Sequence, residues 1–149
     1  MQKTIIRLAT TSDIEAIAGL LAELFLIEKD FKIDKQKQLD ALNIILQEPS
    51  SVCIVAVIEN DIVGFASMQK VVSTAIGGYS GLIEDVIVKE DKRKLGIGNM
   101  LIERLFAEAK LHNFKRVQLL CDTTNTKAQE FYSKHGFKKS QMVGWYKEQ

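Results

Sequence analysis

Glu84-Asp85-Val86-Ile87-Val88, then after Lys89-Glu90-Asp91-Lys92 the run Arg93-Lys94-Leu95-Gly96-Ile97-Gly98, is the stretch on which the reading of this chain turns. The β-branched residues up to Val88 predict a strand over Leu82 to Val88. Ile97, Leu101, Leu105 and Ala109 recur at helical spacing, which predicts a helix over Ile97 to Leu111. The turn between them is basic and carries glycines at 96 and 98. N–H groups at a helix start have no partner within the helix and carry partial positive charge. Glycine removes the Cβ atoms that would hold an anion away from them. With Lys92, Arg93 and Lys94 alongside, the turn suits a diphosphate. Two glycines are also ordinary turn punctuation, so the turn alone leaves both readings open. Two other phosphate patterns are excluded. No Walker string occurs, and Leu101 stands where a dinucleotide fingerprint needs its third glycine.

Working outward, Lys3 to Leu8 reads as a first strand, and Thr11-Ser12-Asp13 offers N-capping oxygens. Ile14, Ile17, Ala18, Leu21, Leu24 and Phe25 mark one buried helical stripe. A second helix runs through Leu39, Leu42, Ile45 and Leu46 and stops before Pro49. Val52 to Ile58 and Ile62 to Val72 read as a hairpin about Glu59-Asn60-Asp61, with Ile76 to Gly81 as a loop. Downstream, Val117 to Cys121 reads as a strand, Asn125 to His135 as a short helix stopped by Gly136, and Met142 to Tyr146 as a last strand. The order β-α-α-β-β-β-α-β-α-β is mixed α/β, with an antiparallel first half and helical crossovers later. No internal repeat or linker interrupts it, so one domain over residues 1–149 is expected.

Composition narrows the function classes. The 149 residues are 46% hydrophobic and 26% charged, as in an ordinary globular domain. Twenty basic residues against 19 acidic ones leave a net charge of +1. No global field recruits nucleic acid or an anionic membrane, so neither is an expected partner. Cys53 and Cys121 sit in apolar runs at no zinc or disulfide spacing, and with only His112 and His135 besides, no metal is expected. The N-terminus lacks the apolar run of a signal peptide, and no segment is long and apolar enough to span a membrane. A reducing cytoplasm is the expected compartment.

Val86-Ile87-Val88 followed by Arg93, Gly96, Ile97 and Gly98 resembles the cofactor motif of the GNAT superfamily of N-acetyltransferases. A second segment, with Asn125, Ala128, Phe131, Tyr132, Gly136 and Phe137, is similar to the family's other motif. The element order matches as well, so the resemblance covers nearly the whole chain. It implies the GNAT fold, a mixed and mostly antiparallel sheet of six to seven strands flanked by about four helices, with acetyl-CoA as co-substrate. The chain departs from the common pattern at Glu90, where proline is frequent, and at Lys94, where glycine is frequent. Lys94 adds a cation and costs backbone freedom.

The resemblance also implies roles. The backbone of Val86, Ile87 and Val88 pairs with pantetheine, and an N–H near Val86 polarises the thioester carbonyl. The turn from Arg93 through Lys94, Leu95, Gly96, Ile97 and Gly98 to Asn99 holds the pyrophosphate. Asn125 bonds pantetheine or caps its helix, and both roles are compatible. Tyr132 is implied as the general acid that protonates the leaving thiolate; judged by position alone, it reads as a tyrosine packing at a helix edge. The substrate amine attacks directly, and because an alkylammonium has a pKa of ~10.4, a base must take a proton. Glu84 and Asp85 are the candidates and fall on opposite faces unless a bulge intervenes. Glu84 is favoured, against the alternative of a solvated or ion-paired strand carboxylate. Ile83-Glu84-Asp85 is similar to the corresponding strand of family members acting on amino sugars.

In the family the first two helices and the loop between them shape the acceptor site. Here Glu28, Asp30 and Asp34 alternate with Lys29, Lys32 and Lys35, which suits a cationic acceptor or a solvated face. Trp145 and Tyr146 suit contact with substrate or a second subunit, hence the expectation of a homodimer. Three functions stand at this point. The first is N-acetylation of a small-molecule primary amine, the second acetylation of a protein lysine or N-terminus, and the third non-catalytic binding of an acyl-CoA.

Overall fold

The computed structural model describes residues 2–27 and 34–149. Its elements are β1 (Thr4–Leu8), α1 (Ile14–Ile27), α2 (Lys35–Gln47), β2 (Val52–Ile58), β3 (Asp61–Ser73), β4 (Gly78–Val88), α3 (Ile97–Leu111), β5 (Phe114–Leu119) and α4 (Thr126–Lys134). The strands form one sheet in the order β1-β2-β3-β4-β5. The first three pairings are antiparallel and the β4–β5 pairing is parallel.

A mixed, mostly antiparallel sheet with four helices agrees with the expected fold, but the strand number does not. Five strands stand among the described residues, not six to seven, because Met142 to Tyr146 make no strand. Met142, Val143, Trp145 and Tyr146 are each more than three-quarters exposed. An apolar run without a ladder to join does not become a strand on propensity alone. Two boundaries also move. Gly78 to Gly81 belong to β4 and not to a loop. A Cβ at Gly81 would lie 2.5 Å from the Met68 sulfur and 2.9 Å from the Phe114 ring, so this glycine serves close packing rather than a turn. β5 begins at Phe114, three residues before the expected Val117, and ends at Leu119.

Local chemistry accounts for the other elements. Glu59 and Asn60 both have positive φ, 48° and 70°, which gives a two-residue hairpin turn whose twist matches the strands it joins. Before α1, the buried Asp13 carboxylate accepts from Thr10 N–H at 2.8 Å and from both ends of the Arg7 guanidinium at 2.8 and 3.0 Å. Arg7 and the Thr10 bonds hold the Asp13 pKa below its ordinary value, against the upward push of burial. Asp34 caps α2 by accepting from Lys37 N–H, and α2 ends at Gln47, two residues before Pro49.

The sheet separates two apolar layers. On one face Ile14, Ile17, Leu20 and Leu21 of α1 and Leu42 of α2 pack on Cys53, Val55, Phe65 and Ile87. On the other, Ile97, Leu101, Ile102 and Leu105 of α3 pack on Ile54, Ala66, Met68 and Ile83, with Phe131 and Tyr132 of α4 at the margin. Phe65, with no exposed surface, illustrates the scale: burying such a side chain is worth about 2–3 kcal/mol.

Candidate active site

The two antiparallel neighbours β3 and β4 stay paired to the end of β4, through Ser67–Asp85, Ala66–Val86, Phe65–Ile87 and Gly64–Val88. The parallel ladder of β4 with β5 stops at Ile83–Leu119. From Asp85 to Val88, therefore, β4 is bonded to β3 on one edge, and no described strand occupies the other. Backbone groups on such an edge are ready to pair with an extended ligand. The Val88 carbonyl is already engaged, accepting from Arg93 Nε at 3.0 Å. That bond folds the basic turn back onto the strand end.

The turn leads directly into a helix start. Gly96 sits at φ 81°, the left-handed region, immediately before α3. Lys94, at φ 64°, adopts the left-handed conformation that glycine would take most readily, so the path of the turn survives the substitution at a strain cost. Met100 N–H to Gly96 O is the bond that closes the first turn of α3, which leaves the N–H groups of Ile97, Gly98 and Asn99 ahead of the helical ladder. Arg93, Lys94, Leu95, Gly96 and Asn99 are exposed, and Ile97 is buried against the α3-side core.

The two sequence segments are joined physically. A Cβ on Gly98 would come within 3.3 Å of the Phe131 ring, so this glycine admits α4 against the first turn of α3. His135 Nε2 lies 2.8 Å from Asn99 Oδ1 and ties the end of α4 to the same turn. Sequence reasoning missed this pair, because residues so far apart in the chain carry no local signal. Asn125 caps α4 by accepting from Ala128 N–H at 3.1 Å.

Tyr132 is fixed by the way α4 ends. Gly136 (φ 89°) donates to Ser133 O and Phe137 donates to Tyr132 O, a Schellman stop, and the Tyr132 and Phe137 rings meet edge to face at 5.6 Å. Tyr132 is half-buried in the α3-side cluster that also takes Val86 and Val88. It thus flanks the same face as the open stretch of β4. Glu84 is exposed and stands at a β-bulge: Ser67 pairs with Asp85 and Met68 with Ile83, leaving Glu84 as the extra residue. Asp85 is half-buried and accepts from Ser67 Oγ at 3.2 Å. The expected acceptor residues Glu28 to Ile33 lie outside the described residues. Among the described residues no group of His, Cys, Asp and Glu could hold a metal ion, and no helix is long and apolar enough to cross a membrane.

A sequence model described as the acetyltransferase (GNAT) family matches residues 17–137, which include the open strand, the glycine turn and α4. The chain belongs to this family. The GNAT assignment fits the relatives. Streptothricin acetyltransferase A of Bacillus subtilis (strain 168) is 30% identical over 92 residues, covering 62% of this chain and 50% of that protein. The chain therefore spans about half the length of the curated relative it matches. Among solved structures, a transcriptional regulator from Bacillus halodurans C-125 superposes with a TM-score of 0.85 at 27% identity, covering 98% and 99% of the two chains. An aminoglycoside N-acetyltransferase solved in complex with CoA superposes with a TM-score of 0.86 over 99% of this chain and 96% of that one. At 18% identity the latter likeness is one of GNAT fold.

Proposed function

We propose that this protein transfers an acetyl group from acetyl-CoA to a primary amine of a small molecule, by direct attack in a ternary complex. The observation that carries the reading is the continuous path from the one-sided edge of β4 into the left-handed glycine turn and the α3 N-terminus. An extended amide-bearing arm matches the first, and a diphosphate matches the second. Acetyl-CoA has both, with a thioester at the far end of the arm. In this reading Val86, Ile87 and Val88 bind pantetheine, and the turn from Arg93 to Asn99 binds the pyrophosphate. Asn125 holds the start of α4.

The amine nitrogen attacks the acetyl carbonyl carbon, the C–S bond breaks, and its electron pair leaves on sulfur. Tyr132 donates the proton that the thiolate takes up, and Glu84, directly or through water, accepts the one the nitrogen sheds. An N–H near Val86 stabilises the oxyanion. The family's aminoglycoside and streptothricin enzymes support a small-molecule acceptor.

Acetyl-CoA at about 100 times its Kd should stabilise the protein by ~2.7 kcal/mol, raising Tm by several degrees. Tyr132→Phe should retain that shift and lower kcat, read by free-thiol release over a panel of amines, by ~10²-fold. The absence of a shift at millimolar acetyl-CoA would remove the cofactor reading. A full rate in the Phe variant would return Tyr132 to a packing role.

A further inference from the structure

We propose that His135 is a positioning residue: bonded to Asn99 in the first turn of α3, it couples the phosphate end of acetyl-CoA to Tyr132 at the thioester end. This coupling rests on the acetyltransferase reading above. Its basis is where the end of α4 is fastened. The Phe131 ring fills the space that Gly98 leaves, and His135 Nε2 lies 2.8 Å from Asn99 Oδ1. Farther along α3, the Phe106 ring meets those of His135 at 6.4 Å and Phe137 at 5.8 Å. Gly98 and Asn99 belong to the turn assigned above to the diphosphate.

The path from that turn to Tyr132 is short. Asn99 Oδ1 can only accept, so His135 Nε2 carries the proton that joins them. The backbone N–H of His135 donates to Tyr132 O at 3.1 Å, and Phe137 N–H donates to the same oxygen at 3.1 Å. The imidazole stands edge to face with the Phe131 ring at 4.9 Å, and Phe131 with Tyr132 at 5.3 Å. Tyr132 is thus held by a helix end whose polar side-chain tie to α3 reaches the phosphate turn.

Asn99 is the third residue of α3, and its N–H is one of those ahead of the helical ladder. A phosphate bonded there fixes the Asn99 backbone, and with it the amide that His135 grips. Asn99 is exposed and His135 half-buried, so water competes for their bond. Immobilising one partner lowers the side-chain entropy lost in making that bond and strengthens the tie. Interaction energy at the phosphates is thereby converted into orientation at the thioester, a use that raises kcat and not affinity alone.

The test compares acetyl-CoA with S-acetylpantetheine, which keeps the thioester arm and lacks the phosphates, in wild type, His135→Ala, His135→Gln and Asn99→Ala. With acetyl-CoA, free-thiol release should show kcat about tenfold lower in His135→Ala and Asn99→Ala. His135→Gln, whose amide nitrogen replaces Nε2–H, should recover most of it. With S-acetylpantetheine all of these proteins should share one low kcat, near that of His135→Ala with acetyl-CoA. In a Tyr132→Phe background His135→Ala should add less than about twofold. Independently of turnover, CoA should slow hydrogen exchange of the His135 and Phe137 amides several-fold in wild type. Pantetheine should not, and Asn99→Ala should abolish the CoA effect. Equal losses with both donors, a full kcat in His135→Ala, an undiminished loss in Tyr132→Phe, or exchange that CoA leaves unaltered overturns the proposal. Where a donor gives no turnover, the exchange measurement decides. Failure of acetyl-CoA to raise Tm overturns instead the reading on which the coupling rests. If His135→Ala fails to fold, Asn99→Ala decides by the same comparison of donors.

Discussion

β4 has two neighbours and treats them differently. Toward β3 it is laddered from Gly78–Ser73 to Val88–Gly64, interrupted only by the bulge at Glu84. Toward β5 it is laddered only from Tyr79 to Ile83 and then parts company. Beside β3 the sheet is covered on both faces, by α1 and α2 over Phe65 and Ile87 and by α3 over Ala66 and Met68; the open stretch is bordered by the α3 N-terminus and Tyr132. One strand thus does two jobs. Its closed edge holds the fold together, and its open edge is available to a ligand. Stability and binding should accordingly be separable by substitution.

The largest expected effect tests the closed side. Phe65→Ala removes a fully buried ring and should destabilise the protein by about 3–5 kcal/mol in denaturant titration, with acetyl-CoA still raising the Tm of whatever remains folded. A loss of under 1 kcal/mol would mean that the closed layer is not the main support.

A smaller effect sharpens what holds the closed side at its entry. Asp13→Asn breaks the Arg7 pair and should cost about 1–2 kcal/mol at neutral pH. Because folding depresses the Asp13 pKa below 3.8, its contribution is fully present above that value and fades as pH falls through the lower, folded pKa. The gap between wild type and variant should therefore narrow below pH 3.8 and be constant above about pH 5. A gap independent of pH would assign the loss to packing.

The smallest effect belongs to the open side. Lys94→Gly relieves a left-handed lysine but loosens the unfolded chain, and the two nearly cancel, leaving stability within about 0.5 kcal/mol. Affinity for acetyl-CoA should nonetheless fall a few-fold with the loss of one cation, measured by calorimetry. An affinity that rises would show that backbone freedom, not charge, limits the turn.

How much of this was legible in sequence depended on whether the signal was local. The helical stripes of α1 and α3, the Glu59-Asn60 hairpin and the left-handed Gly136 each follow from a few adjacent residues. The strand start at Gly78 was hidden because glycine serves both turns and close contacts, and only the fold reveals Met68 and Phe114 against Gly81. β5 was read late because Lys115 and Arg116, exposed at the sheet edge, mask its alternation. Met142 to Tyr146 misled in the other direction, an apolar run with no ladder. At the site the glycine turn was legible. The bulge at Glu84, the buried partner Ser67 and the Asn99–His135 contact were not, since each depends on which residues meet across the sheet or between helices.

The parallel β4–β5 pair also sets an order of events. β2, β3 and β4 follow one another through short turns, so their ladders need no later part of the chain to close. β5 reaches β4 only after α3 has been spanned, and α4 comes later still. A chain still being synthesised therefore owns a sheet before it owns a groove. On the binding mode proposed above, acetyl-CoA cannot help such a chain to fold, because the wall that would enclose it arrives after the sheet.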